Sequence, residues 1–137
     1  MSFATGTPIA DNNPLPIIVT GDGSRIDYNA PATILSGQNL SAPIDLANHA
    51  LAGIEMPSAW TSAVITFQVS SDGVTYRDFW DENGEVSFQA AANRAIRIAS
   101  WSWFAIRYLK IRSGTSATPV AQAADRVINL YSAYRNN

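Results

Sequence analysis

Residues 64–80 read "VITFQVSSDGVTYRDFW", and the fold turns on how this stretch is read. Ile65, Phe67 and Val69 alternate with Thr66, Gln68 and Ser70, so an extended chain places the apolar set on one face and the polar set on the other. "SSDG" follows. Gly73 adopts a positive φ without steric cost and Asp72 can bond its own backbone two residues on, so the segment reads as a hairpin turn. "VTYRDFW" returns as the second strand. The pair is rich in aromatics and poor in groups that do chemistry.

The same period extends outward in both directions. "DENG" (81–84) is a second reversal and "EVSFQA" a further strand. "RAIRIAS" and "AIRYLKIR" alternate apolar and cationic residues, as half-buried strands do. "RVINLYSAY" closes the chain as a strand, and "LSAPIDL" and "LAGIEMP" supply two more before the hairpin. Only 88–95 and 119–125 suggest a helical turn. About eight or nine short strands separated by turn signals predict an all-β chain, a β-sandwich of jelly-roll type. Residues 1–30, with three prolines, a fourth at Pro31 just after them, and the apolar run "LPIIVT", read as an extended N-terminal arm, and 31–137 as the sandwich domain. Ile17, Ile18 and Val19 cannot be covered by the arm itself. They must lie on the body or on a neighbour, and the alternative is an ordinary first strand of the same sheet.

Composition narrows the function. A chain of 137 residues suits one domain. Charged residues make up only 15%, against a typical ~25%, which suits a surface partly covered by neighbours. The nine Lys and Arg are scattered and the net charge is −2, so binding to a nucleic-acid backbone is disfavoured. There is no cysteine, hence no disulfide framework. The opening residues lack the charged start and apolar core of a signal peptide, and no apolar run reaches the ~20 residues of a membrane helix. Synthesis in a cytoplasm, with no membrane partner, is expected.

Catalytic chemistry is scarce. The one histidine, His49, falls at a turn. A serine triad would depend on it, and no Gly-x-Ser-x-Gly motif is present. A zinc site would need several His or Cys ligands. Asp78, Asp81, Glu82 and Glu85 could supply paired carboxylates or calcium ligands, but their spacing fits no EF-hand loop, and a solvated turn is the simpler reading. We therefore expect no enzyme, no metal and no cofactor. Two groups remain. The apolar arm residues Ile17, Ile18 and Val19 and the four tryptophans Trp60, Trp80, Trp101 and Trp103 are interface candidates, with two of the tryptophans expected in the core. If "SWSWF" is extended, Trp101 and Trp103 share a face and Phe104 takes the other. Arg112, Gln122, Asp125 and Arg126, set around a long loop of small residues, are candidates for a structural clamp, with Arg126 expected on Asp125 or a carbonyl.

Two resemblances follow from these segments. "ITFQVSSDGVTYRDF" with "IRYLKIR" resembles the discoidin, or galactose-binding-like, jelly rolls. That resemblance implies that Leu109 and Ile111 face inward while Tyr108 and Lys110 face out. "IEMPSAWTSAVITFQVSSDGVTYRDFWDENGEV" with "YLKIRSGTSATPVAQAADRVINL", spanning residues 34 to 130, is similar to a family of small tailed-bacteriophage virion proteins. It implies a structural protein of capsid decoration, a head or collar fibre base, or a tail or baseplate, located in the virion. Its partners would be copies of itself and other virion proteins. The alternative is a carbohydrate-binding module for surface glycans, marked by Trp or Tyr side chains exposed on loops at one end.

Overall fold

The structure is a computed structural model that describes the backbone of Ile26–Tyr28 and all of residues 31–134. The strands are β1 (Ile26–Tyr28), β2 (Pro31–Ile34), β3 (Ile44–Asp45), β4 (His49–Glu55), β5 (Ile65–Ser70) and β6 (Arg77–Asp78), then β7 (Trp80–Asp81), β8 (Gly84–Glu85), β9 (Ser87–Phe88), β10 (Ala95–Arg97), β11 (Tyr108–Ser113) and β12 (Arg126–Tyr134). One sheet runs β1-β12-β4-β10, with β2 also on β12. The other runs β3-β11-β5-β6, with β9 also on β5. β7 and β8 form a separate two-stranded hairpin. Every pairing is antiparallel.

The expected arm, residues 1–30, lies outside the described residues except for β1, which pairs Ile26 with Ala133 and Tyr28 with Ser132 on β12. Ile17, Ile18 and Val19 are outside them as well. The strand count exceeds the expected eight or nine because the polar segment after Arg77 breaks into two-residue ladders rather than one return strand and one further strand.

Binary patterning places the core. Leu109 and Ile111 of β11 pair with Val69 and Phe67 of β5, Leu130 of β12 pairs with Ile54 of β4, and Ile128 of β12 with Ala32 of β2. Buried residues from both sheets form one cluster, so the sheets pack face to face as a β-sandwich. Leu109 and Ile111 are buried while Tyr108 and Lys110 are only partly so, as the alternation requires. On β4 the buried Leu51 and Ile54 are three apart, which a regular strand would put on opposite faces. A bulge resolves this: β12 steps from Tyr131 to Ser132 while β4 steps from Gly53 to Leu51, and Ala52 is passed over.

One element departs from the extended reading. Ser100–Trp103 is a 3₁₀ turn, followed by a turn at Phe104 and Ala105. Trp101 and Trp103 consequently do not share a face. Trp103 is 2% exposed and packs edge-on against Phe67 with ring centroids 4.8 Å apart and against Phe79 at 5.0 Å. It fills the sandwich where β4 and β5 approach the turn. As an interface candidate Trp103 is withdrawn, because its surface is spent on the core. The two suggested helical turns, 88–95 and 119–125, do not form. In the first, β9 and β10 take its ends; in the second, Pro119 bridges to Gly114.

Candidate functional site

Most polar side chains singled out by sequence are braces. Arg112 lies on the outer face of β11, opposite Thr66 of β5. Its Nε donates to Thr66 Oγ1 at 3.0 Å, one terminal nitrogen to Asp78 Oδ1 at 2.8 Å and the other to Glu85 Oε2 at 2.7 Å. The Glu85 carboxylate also accepts from the Ser116 amide at 3.1 Å. The guanidinium is 6% exposed. Burying such a charge is tolerable only when it is paired and its donors are satisfied, which is the case here. The hydrogen bond from Arg112 holds the Asp78 carboxyl below its usual range, against the opposing effect of desolvation.

The solvated-turn reading of 78–85 holds for Asp81 and Glu82, exposed at the β7–β8 turn, and is corrected at its two ends. Two of its four acidic residues, Asp78 and Glu85, are spent on Arg112. Among the described residues no group of three or more His, Cys, Asp or Glu side chains is placed to hold a metal ion.

The expected four-residue clamp divides. Arg112 belongs to the brace just described, while Gln122, Asp125 and Arg126 tie down the other side of the loop. Gln122 is buried. Its Oε1 accepts from the Thr61 amide at 2.8 Å, and its Nε2 donates to Thr61 O at 2.9 Å and to Ser113 Oγ at 2.7 Å. Arg126 donates to the side-chain carbonyl Gln122 Oε1 at 3.0 Å and to Thr61 Oγ1 at 3.3 Å, and not to Asp125. Asp125 accepts from the Ser36 amide at 2.8 Å. Gln122 satisfies the backbone of a distant loop in the way a strand partner would, which single-sequence patterning does not reveal.

The tryptophans separate by environment. Trp60 is partly buried, packs on the core and donates its indole N–H to Ala63 O at 3.0 Å. Trp80, on the β7–β8 hairpin, is 60% exposed, and Trp101, on the 3₁₀ turn, is 74% exposed. Phe104, one residue past that turn, is exposed too, as is Val74 in the β5–β6 connection at 81%. These two connections meet around a pocket of 440 Å³, walled by Val69, Ser71, Asp72, Thr75, Arg77 and Ile106 among others. That volume falls in the ~300–1,000 Å³ range of small-molecule sites.

The pocket wall is rigid where the "SSDG" turn forms it. Ser70 Oγ accepts from the Gly73 amide at 2.9 Å and donates to Asp72 Oδ1 at 2.9 Å. The same Oδ1 accepts from the amides of Val74 at 2.8 Å and Thr75 at 2.9 Å. These donors, the two amides first, lower the Asp72 carboxyl to about 2. Gly73 has φ 77° and lies over the Tyr108 ring, where a Cβ would stand 3.3 Å from the ring carbons. Both the backbone angle and the close ring call for glycine.

No family model, curated protein or solved structure matches this chain.

Proposed function

We propose that this chain is a non-enzymatic bacteriophage virion structural protein, built on a jelly-roll winding of the sandwich and held in place by contacts with itself and with other virion proteins. Capsid decoration, a head or collar fibre base, and a tail or baseplate component are the positions such a role admits. The observation that supports it most is the division of labour among the side chains. The buried and part-buried polar groups Arg112, Glu85 and Gln122 are engaged in bracing the fold. Large apolar groups, by contrast, stand exposed at Val74, Trp80 and Trp101. Exposed aromatics of this kind anchor protein interfaces. The segment with Ile17, Ile18 and Val19 would add apolar contacts of its own to a neighbour.

The test is where the protein resides. Particles purified from cells producing it, labelled with an antibody to the chain, should show it at a repeated position on the head or tail. Recovery only in the soluble fraction would contradict the proposal.

A second reading, carbohydrate binding, is favoured by one specific observation: Trp80 and Trp101 both stand exposed outside the two main sheets, one on the β7–β8 hairpin and one on the 3₁₀ turn. Trp side chains so placed stack on sugar rings. The two readings are compatible in one particle protein.

A further inference from the structure

The pocket between the β5–β6 connection and the residues after the 3₁₀ turn combines an apolar floor with a polar rim. Val69 and Ile106 supply the floor, and Ser71, Asp72, Thr75 and Arg77 the rim. The two charges in this rim differ in freedom. Asp72 is fixed, because Oδ1 receives Ser70 Oγ–H and the amides of Val74 and Thr75. It is engaged with this turn and forms no ion pair with Arg77. Arg107 and Arg112 each pair with a carboxylate, whereas the Arg77 side chain has no hydrogen-bond or ion-pair partner among the described residues. A guanidinium at the rim of a concave site, with no carboxylate paired to it among the described residues, is set to take a counter-charge from a ligand.

We propose that this pocket binds an acidic sugar, a pyranose bearing a carboxylate. Arg77 pairs with the carboxylate as a two-pronged donor. The second oxygen of Asp72 accepts a ring hydroxyl, and Val69 and Ile106 meet the apolar face of the ring. Trp101, on the turn that leads into Ile106, offers an exposed ring face to the next sugar along. The proposal rests on the carbohydrate reading above and adds to it a location, a charge and named contacts.

The experiment is a titration followed by amide chemical shifts of the ¹⁵N-labelled full chain, with trigalacturonate and, separately, its neutral counterpart galactotriose. Trigalacturonate is expected to shift the amides of residues 71–77 and 105–106. Galactotriose should bind roughly tenfold or more weakly, the loss expected for a charge-assisted pair. Arg77→Ala should keep the native spectrum, since Arg77 braces nothing, and should lose the same roughly tenfold for trigalacturonate. Trp101→Ala should weaken binding of the trisaccharide while leaving shifts at 71–77 in place. Shifts clustered around Trp80 instead of the pocket would overturn the site and leave the carbohydrate reading standing. An unchanged spectrum with both sugars at millimolar concentration would overturn the two together. Equal affinity for the two sugars would overturn the assignment of Arg77.

Discussion

Arg112 on β11 and Glu85 on β8, 27 residues apart in the chain, meet at 2.7 Å on the outer face of the second sheet. This contact and the one from Arg112 to Asp78 hold the β7–β8 hairpin, which carries the exposed Trp80, against the body. The hairpin itself has only two residues in each strand, too few to persist alone. An exposed aromatic is thus presented on a frame anchored by one buried guanidinium.

Removing that guanidinium should be costly. Arg112→Met leaves two carboxylates facing each other with no cation. The expected loss is about 2–3 kcal/mol in urea unfolding, below the ~3–5 kcal/mol of fully buried pairs because Asp78 is open to solvent. Arg112→Lys keeps the charge but not the planar fork, and should fall between. Wild-type stability in Arg112→Met would show that the hairpin is held by other contacts.

The two tryptophans of the 3₁₀ turn should behave oppositely. Trp103→Ala removes a ring packed on Phe67 and Phe79 and should cost about 3–5 kcal/mol. Trp101→Ala, on an exposed side chain, should stay within about 0.5 kcal/mol of wild type. Thermal unfolding of the two variants side by side tests this, and similar losses in both would contradict the assignment of inside and outside.

Asp72 gives a pH signature. Its carboxyl is lowered from 3.8 to about 2 in the folded chain by the Val74 and Thr75 amides and the Ser70 hydroxyl. A depressed folded value means that its contribution is complete above the unfolded value, near pH 4, and is lost as pH falls through about 2. Asp72→Ala should therefore be less stable than wild type at neutral pH, with the difference shrinking between pH 4 and 2. A difference that stays constant across that interval would show that the carboxylate charge is not what matters.

Gln122→Ala should loosen the loops on both sides of it. The Thr61 amide loses its acceptor and Ser113 Oγ its donor, for about 1–3 kcal/mol in total. Hydrogen exchange should accelerate at Thr61, and at Ala123, whose amide bonds Thr61 Oγ1 at 3.1 Å. Unchanged protection at both amides would remove Gln122 from its role as a clamp.

How much of this was legible depended on whether periodicity or tertiary contact made the decision. The alternation of β5, β11 and β12, and the "SSDG" turn, could be read because side-chain parity and turn chemistry are local. The helix-like reading of 88–95 and 119–125 failed because β pairing and a bridge from Pro119 overrode a weak local preference. "SWSWF" has the alternation of a strand, yet Trp103 gains more by entering the core from a 3₁₀ turn than from an edge. The β4 bulge was hidden, since nothing local marks Ala52 as the residue passed over. At the candidate site, Arg112 was visible as polar and well placed, but its partners lie on β6 and β8, across contacts that no single-sequence pattern encodes. Arg77 and Asp72 lay inside the opening hairpin. Their pocket comes into existence only when residues 105–106 pack beside it.

The assembly role is tested most directly by the molar mass in solution, by light scattering, of the full chain and of a chain beginning at residue 25. That truncation removes Ile17, Ile18 and Val19 while keeping β1. An oligomer is expected for the full chain and a folded species with fewer copies for the truncated one. A folded monomer for both chains would contradict it.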